Sequence, residues 1–580
     1  MPGGSAARER KRVWQAVFGL TLLCLLLYVW DLGLSPFYNY EEPKEALVVW
    51  EMVNGGGWIL PLRNGDEIPL KPPLLHWLGA VISVVSGVLN EFTVRLPSAL
   101  AALAGVLLTF YFGQRLWGWR AGLLAGLVLA TSPEWMRWAV TARSDMLLTV
   151  FSTAALVVFW QIWEERKPTR RKVCVFYALL GVAALAKGPV GVAVPVLVVV
   201  AFLWVSGDLA FWRKLCPVEG IAVLVVVALS WYGLALWRGG WEFFRVQILD
   251  ENVFRILHDE GGGPSRDHPF YYYVPALIVG MFPWSVFFPA LGMFLFRQRG
   301  RLKEKRLVYP LVWCLVTLVV FTLASGKRSN YVLGLYPAVA LLVGLWVHVL
   351  VEGREAGVAR KLAAICAWAL LGAFGTLFLV LLAQGAGLDL ERFAAPFLHP
   401  RDRANLPLVA HTLQSRFALV AVWLACLAMA LGAHLWGLTK RHWILVFSSI
   451  TIYVSASFHF THALFRPLLA QPRTYKPFML GVRDTVREEP LFFYKARDYG
   501  AIFYADRRIA DYGKDLLQGR PDGAASPLFL LMWEETWHTL SANGHLRLLA
   551  LSEGRGPDKD RRLALVVLVA APEKAAAEGS

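Results

Sequence analysis

Charge is scarce in this chain of 580 residues: Asp, Glu, Lys and Arg together make up 17%, where a soluble globular protein carries about 25%. That shortage excludes a chain disordered throughout and an ordinary soluble enzyme. Cysteine is scarcer still. Cys24, Cys174, Cys216, Cys314, Cys366 and Cys426 lie in or beside apolar runs, with no CxxC pair and no metal-ligand spacing. A disulfide-stapled scaffold is excluded, and these thiols read as small apolar packing groups. The sequence also lacks HExxH, GxSxG, a phosphate-loop glycine motif and any internal repeat. What it has instead is apolar sequence: 57% hydrophobic residues and a mean hydropathy of +0.49. A single core cannot absorb that much, so a polytopic membrane protein is expected. The net charge of +16 then reads as an orientation signal rather than nucleic-acid binding.

A helix needs about 20 apolar residues to cross the hydrocarbon. Thirteen segments qualify: 13–32, 97–113, 120–136, 146–163, 173–187, 189–206, 218–237, 272–296, 308–324, 332–350, 362–383, 416–437 and 443–462. The stretch 74–90 is borderline and is expected to be interfacial or re-entrant. With that choice the basic loops 114–120, 164–172, 297–306, 354–361 and 440–441 all fall on one side, which the positive-inside rule makes cytoplasmic. The N-terminus is then cytoplasmic. The outer side receives 33–73, 133–145, the turn at 187–189, 238–271, 325–331, 384–415 and everything after about 463. From about 470 the charge density rises. Strands are expected at 491–494, 528–533, 546–551 and 563–569, and helices at 499–505 and 534–542. The predicted organisation is a transmembrane domain over 1–465 and a soluble α/β domain over 466–580.

The unusual polar residues cluster on the outer side. The first loop carries Glu41-Glu42-Pro43-Lys44-Glu45 and then Lys71-Pro72-Pro73. A carboxylate at a membrane surface can act as a general base, and a lysine fixed by prolines can hold a phosphate. A solvated loop with interfacial aromatics is the competing reading. Arg143-Ser144-Asp145 opens a membrane helix, where ionisable groups are costly and usually functional; a helix-capping acid is the alternative. Lys187 stands alone between two apolar helices. Arg255 and His268 sit in a long loop of both charge signs, and His268, with acids around it, is the one histidine kept as a metal candidate. Lys327, Arg328 and Tyr331 close the series. The cations lie on the wrong side for the orientation rule, so a lipid phosphate at the outer leaflet explains them.

The order of these motifs carries a resemblance. Glu-Glu-Pro-Lys-Glu-Ala, Lys-Pro-Pro-Leu, Arg-Leu-Pro-Ser at 95–98, Ala-Arg-Ser-Asp, Leu-Ala-Lys-Gly-Pro, Glu-Asn-x-x-Arg, His-Pro-Phe-Tyr-Tyr-Tyr and Ser-x-Lys-Arg-x-x-Tyr follow one another. Over about residues 10–350 the chain resembles the polyprenyl-phosphate-sugar-dependent membrane glycosyltransferases. These include the protein mannosyltransferases and the aminoarabinose transferases that modify lipid A. The resemblance implies an all-α polytopic membrane domain of the GT-C type, with about 13 transmembrane helices and a small C-terminal periplasmic α/β domain. It implies an inverting hexosyl- or pentosyltransferase of a bacterial inner membrane that takes its sugar from an undecaprenyl-phosphate-linked donor. The acceptor on the periplasmic face would be a lipid resembling lipid A, a protein or a glycan.

Carried over, Glu41 stands where the family usually has Asp and is followed by Glu42; these two and Asp145 are the candidate catalytic acids. Lys71, Arg143, Lys187, Arg255, Lys327, Arg328 and Tyr331 are the candidate donor-phosphate ligands. Leu70 replaces a glutamate common in the aminoarabinose enzymes, which removes a carboxylate attributed to metal contact and weakens the case for lipid A as acceptor. The cations suffice to stabilise a phosphate leaving group, so no cofactor is required, and a divalent metal has no ligand cluster to support it. Two other functions compete: a ligase or polymerase using diphosphate-linked glycans, and a lipid or sugar transporter. Transporters tend to show internal repeats and midplane charges, whereas here the acids gather at one outer edge.

Overall fold

The structure, a computed structural model, describes residues 3–166, 168–215, 218–254, 268–301, 303–324, 326–387, 403, 406–513, 527–541, 545–556 and 560–568. Two compact units emerge. One comprises Met1–Leu32, Leu70–Leu78 and Arg95–Ala463; the other comprises Gly33–Pro69, Gly79–Val94 and Leu464–Ser580. The first outer loop is thus grouped with the C-terminal region rather than with the membrane helices.

The first unit is helical. Each of the thirteen expected segments is helical over most of its length, with breaks inside 120–136 and 272–296, and nine described helices are long and apolar enough to cross a bilayer alone. A tenth is the bent pair Tyr273–Gly280 and Trp284–Gly300, which turn through 113°. The remaining three are α5 (Trp119–Ala130), α8 (Arg170–Lys187) and α9 (Val190–Val205). The first and last are 12 and 16 residues long, and α8 begins on Arg170-Arg171-Lys172, which dilutes its apolar run. α3 (Leu74–Ser86) has 13 residues. At 1.5 Å per residue that is about 20 Å, short of the roughly 30 Å hydrocarbon core. The chain is a multi-pass membrane protein.

In lipid, apolar burial does not drive helices together; close packing and internal hydrogen bonds do. α7 (Ser144–Glu165) lies along α8, and α9 packs on both α8 and the helix Lys305–Leu323. An aromatic knot locks them. The Tyr309 ring stands 4.8 Å from Phe202 and 5.1 Å from Trp160, centre to centre, and its hydroxyl donates to the Leu156 carbonyl at 2.7 Å. The α8–α9 turn is set by Gly188, whose φ of 81° only glycine adopts freely. At Gly191 a Cβ would meet the Ala183 carbonyl carbon at 2.4 Å, so the two helices approach backbone to backbone.

The second unit carries a five-stranded sheet in the order β2-β1-β3-β5-β4. Its strands are β1 (Leu491–Phe493), β2 (Ala510–Asp511), β3 (Leu528–Trp533), β4 (Leu546–Leu551) and β5 (Leu563–Leu568). β1 is parallel to β2 and β3, while β3, β5 and β4 are antiparallel. Leu530, Met532, Ala564, Val566 and Leu568 form its buried core. The same unit ties first-loop residues to C-terminal ones. Glu51 is 1% exposed and receives both Arg508 Nε and Nη2, at 3.1 and 2.7 Å. The Asn64 amide exchanges two hydrogen bonds with the Ile509 backbone, at 2.8 and 2.9 Å. Glu91 accepts from Lys476 and Tyr504 at 2.7 and 2.9 Å.

Candidate donor-binding cavity

The first unit contains a cavity of about 820 Å³. Its lining includes the charged and polar side chains Lys71, Lys187, Gln247, Glu251, Asn330 and Tyr331, with Thr149, Ser152, Tyr232 and Thr317. Apolar side chains line it as well, Leu148, Leu156, Ala193, Val194, Trp313, Val320 and Phe321 among them. Leu323 also lines it and is 81% exposed, so the cavity reaches the surface of this unit.

Lys187 ends α8, where a cation complements the helix dipole. Its Nζ lies 2.5 Å from Asp145 Oδ1 and 4.9 Å from the centre of the Tyr331 ring. Asp145 occupies the first turn of α7, the end of a helix that favours an acid. It is 2% exposed. The same Oδ1 accepts from Asn330 Nδ2 at 2.7 Å, and Arg143 Nε stands 3.6 Å from Oδ2. Arg143 is in turn positioned by Ser98, which accepts from its backbone N–H at 3.3 Å and donates to its carbonyl at 3.1 Å. Arg95, fully buried, donates to the Leu32 carbonyl at 3.1 Å. The Arg-Leu-Pro-Ser motif is therefore a pair of backbone pins, one of which fixes the Arg143–Asp145 turn.

Lys71 reaches the cavity from the segment held by Pro69, Pro72 and Pro73, and pairs with Glu251. Glu251 and Gln247 lie four residues apart in the π-helical stretch Arg245–Phe254, which follows α11 (Val218–Phe244) beyond a kink at Gly240. Four residues is close to one π-helical turn, so both side chains meet the same wall.

The structure thus brings Arg143, Asp145 and Lys187 together with Tyr331, and places Lys71 on the same cavity. Lys327 is buried and Arg328 half-buried; neither is among the described lining residues, although Asn330 and Tyr331 from the same turn are. Arg255 lies outside the described residues. His268 is exposed and stacked on the Tyr272 ring, 4.2 Å between centres. Among the described residues no three His, Cys, Asp or Glu side chains are grouped to hold a metal ion.

Glu41 and Glu42 stand at the start of α2 (Glu42–Val53) in the second unit. Asn39 accepts from both backbone N–H groups, at 3.1 and 2.7 Å, and donates to Glu42 Oε2 at 2.7 Å. Glu42 is fully buried, whereas Glu41 retains some exposure. Nearby in that unit the Tyr499 hydroxyl binds Glu67 at 2.8 Å; burial first and the Glu67 charge second push its phenol well above the usual range.

Sequence reasoning did not single out Ser98, Gln247, Glu251 and Asn330 as site residues. The signal for Glu251 was present: an acid on the outer side, four residues before a cation.

The chain as a whole is similar to known proteins. Residues 70–232 match the family model described as dolichyl-phosphate-mannose-protein mannosyltransferase. Curated relatives named undecaprenyl phosphate-alpha-4-amino-4-deoxy-L-arabinose arabinosyl transferase include one from Shewanella sediminis. It is 28% identical over 393 residues, covering 65% of this chain and 68% of the relative. Another, from Edwardsiella ictaluri, is 29% identical, covering 57% of this chain and 59% of the relative. The crystal structure of ArnT from Cupriavidus metallidurans bound to undecaprenyl phosphate superposes with a TM-score of 0.73. It covers 96% of this chain and 99% of ArnT at 21% identity. The GT-C fold is therefore present, and the resemblance to polyprenyl-phosphate-sugar-dependent glycosyltransferases of the aminoarabinose-transferase type holds.

Proposed function

We propose that this membrane protein is an inverting glycosyltransferase that moves a sugar from an undecaprenyl-phosphate-linked donor to an acceptor oxygen on the periplasmic face of the inner membrane. The N-terminus is cytoplasmic in this reading and the C-terminal sheet periplasmic. The observation that carries it is one cavity lined both by two ammonium groups, Lys71 and Lys187, and by many apolar side chains, with the exposed Leu323 among them. A polyprenyl phosphate has the same two chemistries: a charged head and a hydrocarbon tail.

The chemistry asks little more. The acceptor oxygen attacks the anomeric carbon from the face opposite the phosphate. The bond from that carbon to the phosphate oxygen breaks, and undecaprenyl phosphate leaves with the electron pair. Lys71 and Lys187 stabilise the negative charge that develops on the leaving oxygen. Tyr331 packs beneath Lys187. Asp145 acts through Lys187, holding the ammonium at the cavity wall, and Arg143 and Asn330 hold Asp145. Proton removal from the acceptor is assigned to Glu41 or Glu42 on the strength of the first-loop motif. Glu reaches one methylene further than the Asp usual there. Arg255, Lys327 and Arg328 remain candidate phosphate ligands on the same basis. The cations of the chain supply the charge stabilisation in this scheme, and no metal is assigned a role.

The relatives' names make 4-amino-4-deoxy-L-arabinose the first sugar to test. The full-length protein, reconstituted with that undecaprenyl-phosphate-linked donor, is offered lipid A and followed by mass spectrometry. Transfer is expected from wild type. Glu41→Gln, Glu42→Gln, Lys71→Met and Asp145→Asn are then compared; full transfer by all four at equal protein levels would refute the reading. Lipids and glycoproteins from cells lacking the protein identify donor and acceptor if the sugar or the acceptor differs.

A further inference from the structure

The pairing of Lys71 with Glu251 is hard to reconcile with a lysine kept only for a donor phosphate. Both side chains line the cavity, and they are 22% and 13% exposed. A carboxylate and a phosphodiester are both anions. Placed on one ammonium in a poorly solvated pocket they repel each other, so they compete.

The same cavity also carries a hydroxyl of the right chemistry to receive a carboxylate. The Tyr232 hydroxyl is buried with no hydrogen-bond partner among the described residues, lines the same cavity and is within electrostatic reach of Glu251. A buried hydroxyl without a partner is costly, and an arriving carboxylate satisfies it.

We infer that Glu251 is an internal competitor for the donor: its carboxylate holds the phosphate position on Lys71 in the donor-free protein, and the phosphate must displace it towards Tyr232. No covalent bond changes; Lys71 exchanges one anion for another. Glu251 is a positioning residue that sets donor affinity. The inference rests on Lys71 as a phosphate ligand, the reading proposed above.

The test is the affinity of the full-length protein, in lipid nanodiscs, for undecaprenyl phosphate. Glu251→Gln keeps the side chain's size and removes its charge, and is expected to bind about three- to tenfold tighter than wild type. Asp250→Asn, an exposed neighbour with the same charge change, is expected to stay within about twofold. The gain disappears in a Lys71→Met background, because the competition needs the lysine. Tyr232→Phe weakens binding about two- to fivefold in wild type and not in Glu251→Gln. A merely structural role for Glu251 would lower affinity, not raise it. If Glu251→Gln is not recovered folded, Glu251→Asp, with its shorter reach, is expected to give a smaller gain in the same direction. Equal or weaker binding by the Glu251 variant, or an equal gain from Asp250→Asn, overturns the inference. Unchanged binding by Lys71→Met overturns instead the assignment of Lys71 to the phosphate.

Discussion

Lys187 and Lys71 line one cavity but are held in different ways. Lys187 meets an acid that has further partners, since Asp145 also contacts Asn330 and Arg143, and Arg143 is pinned by Ser98. The partners come from regular helices and a 3-10 turn, and Asp145 is almost fully buried. Lys71 meets Glu251 across two irregular segments, a proline-bounded stretch and a π-helical one, and both side chains keep some contact with solvent. A buried acid with several partners is part of the architecture, because stripping any one of them leaves charge uncompensated. A pair in which both side chains keep some contact with solvent can change partners more readily. The difference teaches which lysine fixes the site and which one responds to the ligand.

The largest effect is expected where the comparison is broken on the architectural side. Asp145→Asn leaves Lys187 and Arg143 without their carboxylate, a loss of about 3–5 kcal/mol for a broken buried pair. Thermal unfolding in detergent should shift down by several degrees, and transfer should fall by at least about 100-fold. Lys71→Met comes next and should separate the two lysines. Donor binding drops by roughly 30-fold, while the unfolding temperature stays within about 2 °C of wild type. An equal loss of stability in both variants would erase the distinction.

Ser98→Ala removes the hydroxyl that clamps the Arg143 backbone. About 1 kcal/mol of stability should go, with a transfer loss of about five- to tenfold through a displaced Arg143. The smallest effect is expected at Thr169, which caps α8 at the end opposite Lys187, accepting from the Lys172 N–H at 3.4 Å. Thr169→Ala should cost about 0.5 kcal/mol and change transfer less than about twofold. A larger transfer loss there would mean that Lys187 is set by the whole helix rather than by its last turn.

Much of the fold was legible because membrane helices announce themselves. Each of the thirteen apolar runs is helical over most of its length, since lipid leaves backbone groups no partner outside the helix. The strands at 491, 528, 546 and 563 were legible as short apolar runs in a region of rising charge, and each begins at the expected residue. β2 was missed because two residues, Ala510 and Asp511, carry no period. The helix Lys476–Val486 was missed because Pro477 and mixed charge mask its apolar face. The lengths of α5 and α9 were not legible, because a hydropathy run does not reveal where a helix of 12 or 16 residues stops.

The candidate site was legible only in part. Lys71, Arg143, Asp145 and Lys187 stood out as ionisable groups against an apolar background, and Tyr331 was reached only through the family resemblance. Asn330 and Ser98 did not, because a neutral polar side chain gains meaning only from the partner it meets, 185 and 45 residues away in sequence. Glu251 was visible but read as loop charge, since nothing local says that it faces a lysine 180 residues upstream.

The most direct test of the central claim is a structure of the full-length protein in nanodiscs with undecaprenyl phosphate. The account predicts phosphate density within hydrogen-bonding reach of Lys71, on the wall that also carries Lys187, with the tail running along Leu148, Val194 and Phe321 towards Leu323. A phosphate bound away from both lysines, with the tail outside the cavity, would contradict it.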